Sequence, residues 1–207
     1  MCDNRGMIFR RSTLLWVPLA VIAACGGAWL ARELHRSEPQ LASGTWLSPP
    51  RPIGEFSATD QNGRPFTRGS LLGHPTLVFF GFTHCPEVCP TTLATLAQVN
   101  RAAGVKGMRV LLVTVDPGRD TPVVLKRYLQ ALDPQFLGAT GTPAQIDALT
   151  KEFSVAARRI DLPDGDYMMD HSVAVFLLDE RARRVAVFTA PFEVPRMAAD
   201  LRLASAY

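Results

Sequence analysis

The sequence predicts an α/β layer fold, and three observations carry the prediction. Residues 76–82 and 109–115 are continuous apolar runs of strand length, the pattern of strands buried on both faces. Each is followed by a stretch with helical signals. Near the C-terminus two further apolar runs, 171–178 and 185–189, flank the turn Asp179-Glu180-Arg181-Ala182, and a last amphipathic stretch covers 194–204. Strand, helix, strand, helix, hairpin and helix in that order predict a sheet whose first strands run parallel and whose last two run antiparallel.

From the N-terminus, residues 1–11 carry Arg5, Arg10 and Arg11, and residues 12–31 contain no Asp, Glu, Lys or Arg. A run of about 20 such residues is long enough to cross a bilayer as a helix, and the preceding arginines keep the N-terminus cytoplasmic. The preferred reading is therefore a cytoplasmic N-terminus over 1–11, an uncleaved anchor over 12–31, and a C-terminal domain outside the cytoplasm. Ile22-Ala23-Ala24-Cys25 also fits a lipoprotein cleavage site with a lipid on Cys25, although apolar character continues past Cys25 to Ala31. Ordinary signal-peptide cleavage is a third reading. A linker is expected over 32–50, rich in Ser, Pro and Gly, with one domain over 51–207.

Within that domain, 56–67 reads as a hairpin around Asn62-Gly63, and 76–82 as the first buried strand. Residues 91–103 show helical spacing at Leu93, Leu96 and Ala97 and end near Gly104. The strand over 109–115 stops at Asp116-Pro117-Gly118. Thr121-Pro122 and Thr142-Pro143 are helix starts, with Thr as N-cap and Pro in the first turn, for helices toward Leu132 and Phe153. A short strand over 155–160 and a turn-rich loop over 162–167 precede the final hairpin.

Charge excludes one class of function. The net charge is +3, but residues 1–36 hold five of the 22 Lys+Arg and two of the 19 Asp+Glu, which leaves 17 of each in the remainder. A neutral domain has no electrostatic footprint for nucleic acid. Arg181, Arg183 and Arg184 read as a solvated hairpin tip.

The chemistry concentrates in Gly81-Phe82-Thr83-His84-Cys85-Pro86-Glu87-Val88-Cys89-Pro90, at the carboxyl end of a buried strand, where ligands collect in open α/β sheets. Cysteines at i and i+4 share one face of a helical turn, and two thiolates so placed can hold a soft metal such as Cu(I) or close to a disulfide. Structural cysteines would be scattered in the core, not bracketed by prolines. Cys2 and Cys25 fall in the leader, so Cys85 and Cys89 are the only thiols of the exported domain. A bridge over so short a loop gains little entropy, so the pair reads as working chemistry and not as a staple. A third donor is offered by His171, placed on the lip of a strand in the same sheet; imidazole beside two thiolates suits copper, with zinc as a competitor. A helix N-terminus beside the cysteines is expected to lower their pKa. Asp116 is equally a turn residue and a group that tunes the site or docks a partner. Met168 and Met169 read as packing, and His84 and His74 as surface or structural residues.

The segment 81–90, with Val115-Asp116-Pro117-Gly118-Arg119-Asp120-Thr121-Pro122 and with Asp166-Tyr167 followed by Asp170-His171-Ser172, strongly resembles the Sco (SenC) proteins that assist assembly of cytochrome c oxidase. The resemblance covers about residues 50–205 with three motifs in order. It implies a thioredoxin-like fold, in its peroxiredoxin-like variant, behind an N-terminal transmembrane helix. It further implies copper held by Cys85, Cys89 and His171 as a metal site, delivered to the oxidase's copper-bearing subunit, with a copper donor protein and a thiol reductant as further partners. The location implied is the bacterial inner membrane, single-pass, with the domain in the periplasm. Such a protein is a metallochaperone. The alternative is a thiol-disulfide oxidoreductase in which Cys85 and Cys89 are the redox-active pair, although the thioredoxin spacing has two intervening residues and this chain has three. Val88-Cys89-Pro90-Thr91-Thr92 looks like a peroxidatic segment, but Pro86 stands where that segment needs threonine.

Overall fold

The computed structural model describes residues 21–27, 29 and 38–207. The chain divides into two units, Met1–Glu38 and Pro39–Tyr207. In the first, 21–27 is helical with Val21 and Ile22 exposed. Among the described residues no helix is long and apolar enough to cross a membrane. The expected cytoplasmic segment 1–11 and most of the expected span 12–31 lie outside the described residues.

The second unit is a mixed α/β fold built on one central sheet. Its strands are β1 (Gly44–Pro52), β2 (Ser57–Asp60), β3 (Pro65–Thr67), β4 (Thr76–Gly81), β5 (Arg109–Thr114), β6 (Leu137–Thr140), β9 (Ala174–Leu178) and β10 (Arg183–Thr189), and between them in sequence β7 (Ala157–Asp161) and β8 (Tyr167–His171) form a separate two-stranded ribbon. The order across the main sheet is β1-β10-β9-β4-β5-β6-β2-β3. Strands β4, β5 and β6 are parallel, while β9 is antiparallel to β4 and to β10, as the order of elements predicts. The helices are α1 (Val88–Ala103), α2 (Pro122–Leu132), α3 (Pro143–Phe153) and α4 (Val194–Ser205).

Strand β4 is buried at every position, which is why its sequence is apolar without alternation. Its side chains still alternate between two cores. Phe80 meets Phe153 of α3 and Phe176 of β9 on one face, with ring centroids 5.2 and 6.2 Å away. Phe79 and Gly81 face the α1 side, where a Cβ on Gly81 would lie against Cys89 and Leu112. Helix ends follow the local signals. Gly104 closes α1 in the left-handed conformation at φ 62°, Thr121 caps α2, and Thr142 with Gln145 forms a capping box on α3.

Four expectations are corrected. The linker expected over 32–50 ends sooner, because Gly44–Pro52 pairs with β10 as an edge strand, with a register shift between Trp46 and Arg51 that accommodates Pro49 and Pro50. Strand β6 is absent from the sequence reading. It is a short Leu-Gly-Ala-Thr segment, and Gly138 is there because Leu125 and Leu129 of α2 press to 2.6–2.8 Å from where a Cβ would sit. Arg184 is not at a solvated tip: its guanidinium lies over the Phe153 ring at 5.3 Å and beside Glu152 at 3.6 Å. His171 does not continue into the main sheet. Ser172 closes the β7–β8 ribbon, its N–H donating to the Ala156 carbonyl and its hydroxyl accepting from the Ala156 N–H, so the chain turns before β9 begins.

Candidate metal centre

Strand β4 ends at Gly81, the chain turns through Thr83 and His84, and α1 starts at Val88. Cys85 therefore sits in the turn and Cys89 in the first turn of the helix, a tighter arrangement than a helix beginning at residue 91. Both are free thiols, Cys85 half-buried and Cys89 fully buried. The Cys89 N–H donates to Cys85 Sγ at 3.3 Å. Gly81 forms the floor: a Cβ there would come within 3.1 Å of Cys89 Sγ.

The His171 Nε2 lies 3.7 Å from Cys89 Sγ, while Nδ1 lies 3.1 Å from the Ser172 carbonyl. A proton on Nδ1 satisfies that carbonyl and leaves the Nε2 lone pair facing the thiol. The ring is held between the edges of Phe79 and Phe82, with centroids 6.2 and 5.9 Å away. Burial lowers the His171 pKa, outweighing the Ser172 carbonyl and Asp170, so the imidazole is neutral and available as a ligand.

The separation of Cys89 from His171 is a test of fit. Metal–sulfur and metal–nitrogen bonds of about 2.3 and 2.1 Å, at a trigonal or tetrahedral angle, place the two donors roughly 3.6–3.8 Å apart. The observed 3.7 Å falls in that window. Among the described residues no group of three or more His, Cys, Asp or Glu is placed to hold a metal ion as it stands. Cys89 contacts both Cys85 and His171, so the three residues form a chain of contacts centred on Cys89.

The helix N-terminus does not make Cys89 acidic. Desolvation by burial drives its pKa up, well past that of a free thiol; the Phe82 backbone hydrogen bond opposes this, and Cys85 and Asp120 reinforce it. A protonated, buried thiol resists oxidation, and a cation is what would compensate the thiolate charge there.

Two buried carboxylates, Asp120 and Asp116, lie beyond the end of β5. Asp120, fully buried, accepts from the Thr83 N–H at 3.1 Å, the Thr83 hydroxyl at 2.5 Å and the Thr114 hydroxyl at 2.6 Å. It ties the cysteine turn to the end of β5. Asp116, 4% exposed, accepts from the Tyr167 hydroxyl at 2.9 Å and Arg119 Nε at 2.5 Å. Its role is positional and not that of a free turn residue.

The SCO1/SenC family model matches residues 47–205. The chain belongs to the SCO1/SenC family. Among its relatives, a SCO2-like protein of Rickettsia felis is 34% identical over 178 residues, covering 83% of this chain and 87% of that one. The mitochondrial SCO2 homolog of Bos taurus is 38% identical over 174 residues, covering 80% of this chain and 65% of that one. Among solved structures, ScoI of Bradyrhizobium japonicum with copper bound is 42% identical and superposes with a TM-score of 0.67, covering 73% of this chain and 98% of that one.

In this SCO1/SenC chain the three residues singled out from sequence, Cys85, Cys89 and His171, are brought together. His84 is exposed and bonded to Thr83, and Met168 and Met169 pack against the core. His74 lies beside Pro75 before β4, away from the cysteine turn, with its Nδ1 buried beside Gly107. Sequence reasoning missed Tyr128 on α2, whose buried hydroxyl has no hydrogen-bond partner. Its pKa is pushed up by burial and then by nearby Cys89, Cys85 and Asp120. Tyrosine on an amphipathic helix gives no signal that distinguishes a core ring from one facing a site.

Proposed function

We propose that this protein binds copper through Cys85, Cys89 and His171 and assists assembly of the dinuclear copper centre of cytochrome c oxidase, delivering the ion as cargo to the oxidase's copper-bearing subunit. The observation that carries this is the 3.7 Å contact between Cys89 Sγ and His171 Nε2, a separation compatible with two ligands on one ion. Family membership and the copper-bound relative at 42% identity support it. Two thiolates favour Cu(I), and the imidazole lets Cu(II) stay. Half-buried Cys85 is the point of first contact. Cys89 gives up its proton as the ion arrives, and neutral His171 closes the set without proton release. The fold is read as the peroxiredoxin-like variant of the thioredoxin fold. The protein is placed at the bacterial inner membrane with this domain in the periplasm, tethered by residues 12–31 as a span or by a lipid on Cys25. A copper donor and a thiol reductant complete the set of partners.

A second reading is favoured by the unequal burial of the two thiols. Cys85 as thiolate would attack a substrate disulfide, forming a mixed disulfide; Cys89 would then displace the substrate thiolate, leaving the substrate reduced by two electrons and Cys85–Cys89 oxidised. His171→Ala separates the readings. Copper delivery predicts that Cu(II) binding and oxidase copper loading are lost while the cysteine pair still cycles. Normal oxidase assembly in His171→Ala, with assembly lost in Cys85→Ser and Cys89→Ser, would reject delivery in favour of reduction.

A further inference from the structure

We propose that Asp116, Arg119 and Tyr167 form a clasp that positions His171 over Cys89, and that this clasp sets how firmly the site retains copper(II). The proposal rests on the copper reading above. His171 belongs to the β7–β8 ribbon, which shares no strand pairing with the main sheet; the nearest ladder is that of β9 with β4, and β9 begins three residues beyond His171. That ladder holds the chain after His171, and side chains hold the rest of β8. Along β8, Tyr167, Met169 and His171 lie on one face, and Tyr167 and His171 are about 13 Å apart at the usual rise of a strand. Tyr167 reaches Asp116 just beyond the end of β5, and His171 reaches Phe79, Phe82 and Cys89 around the end of β4. The ribbon is thus pinned at both ends of one strand, across the carboxyl ends of two neighbouring parallel strands.

The Tyr167 pin is built from several contacts. Both oxygens of buried Asp116 are used, Oδ1 by the Tyr167 hydroxyl at 2.9 Å and Oδ2 by Arg119 Nε at 2.5 Å. Arg119 Nη1 also donates to Asp166 at 3.0 Å, beside Tyr167 in sequence. The guanidinium groups of Arg119 and Arg159 stack on the Tyr167 ring at 3.7 and 3.8 Å from its centroid. Such an arrangement holds the start of β8 in one place, and through the strand it limits where His171 can be.

The effect depends on oxidation state. Cu(I) is satisfied by two thiolates, while Cu(II) needs the nitrogen donor. Loosening the clasp makes ordering the imidazole part of the cost of binding Cu(II) and leaves Cu(I) nearly untouched. Tyr167→Phe keeps the ring and removes only the hydroxyl bond to a charged acceptor, so Cu(II) affinity should fall roughly tenfold and Cu(I) affinity by less than about twofold. In the metal-free protein the amides of β8 should exchange hydrogen faster. In a His171→Ala background Tyr167→Phe should have no further effect on Cu(II), because the clasp acts through the imidazole. Should Tyr167→Phe fold poorly, Asp116→Asn, which keeps an acceptor oxygen for the Tyr167 hydroxyl but removes its charge and the Arg119 arm, reads the same quantities. Unchanged exchange and Cu(II) affinity, or losses that add independently to those of His171→Ala, overturn the clasp. A His171→Ala protein that binds Cu(II) as well as wild type removes the copper reading and the clasp with it; one that loses Cu(II) while Tyr167→Phe does not rejects the clasp alone.

Discussion

Replacing Gly81 by Ala adds a single methyl group where the cysteine pair rests on the sheet. In a strand this exchange ordinarily stabilises by about 0.4–1 kcal/mol, since alanine has less freedom to lose on folding. Here the new Cβ would stand 2.9 Å from Phe79 Cε1, 3.1 Å from Cys89 Sγ and 3.2 Å from Leu112 Cδ1. All three neighbours are fully buried. Overpacking of this kind costs about 1–3 kcal/mol. The net is a destabilisation of up to about 2.6 kcal/mol, centred on about 1.3 kcal/mol, or roughly 3–5 °C in Tm at the centre of that range for a domain of this size. Because Cys89 Sγ must yield by a few tenths of an ångström, copper affinity should fall as well. Gly138→Ala is the comparison: its Cβ would meet Leu125 and Leu129, as near as 2.6 Å, with no cysteine involved. Thermal unfolding of the metal-free proteins and competition for copper against a chelator read the two effects. Gly81→Ala should lose both stability and affinity, Gly138→Ala stability alone. A Gly81→Ala protein that melts at or above wild type with unchanged copper binding would refute the reasoning.

Three further outcomes are expected. Alkylation of the reduced, metal-free protein at neutral pH should label Cys85 well before Cys89, whose thiol is fully buried and held protonated by desolvation; equal rates by mass spectrometry would contradict this. His171 has a folded pKa below its ordinary value of 6.5, so the unfolded chain binds the proton first and metal-free stability should decline as pH falls below about 6.5, a decline that denaturant titrations should find reduced in His171→Gln. Asp120→Ala removes the acceptor of the buried Thr114 hydroxyl and of the half-buried Thr83 hydroxyl and N–H and should cost at least about 2 kcal/mol in urea unfolding, whereas the exposed Asp164→Ala should stay within about 0.5 kcal/mol.

The ligand candidates were legible because their signals are local. Two cysteines four apart after a buried apolar run can be read from the chain, and so can Thr-Pro helix starts at 121 and 142. What was not legible depends on distance in space. Nothing in the segment 167–178 marks where a ribbon ends and the main sheet resumes; that is settled by the pairing of Ser172 with Ala156. The fate of Asp116 was open in sequence because its partner Tyr167 lies 51 residues away. Strand β6 was invisible since its glycine answers to the side chains of α2 and not to strand propensity. The pKa of Cys89 was read in the wrong direction, because helix position is visible in sequence and the depth of burial is not.

The outermost strands of the sheet bear on how this domain behaves in company. A sheet with free margins invites a second chain to add itself by backbone pairing. One margin here is β1, which carries Pro49, Pro50 and Pro52, and the other is β3, which begins with Pro65. Proline offers no N–H, so both margins are poor templates for lateral growth. This favours encounters at the ends of the sheet, where half-buried Cys85 lies, over stacking of its sides.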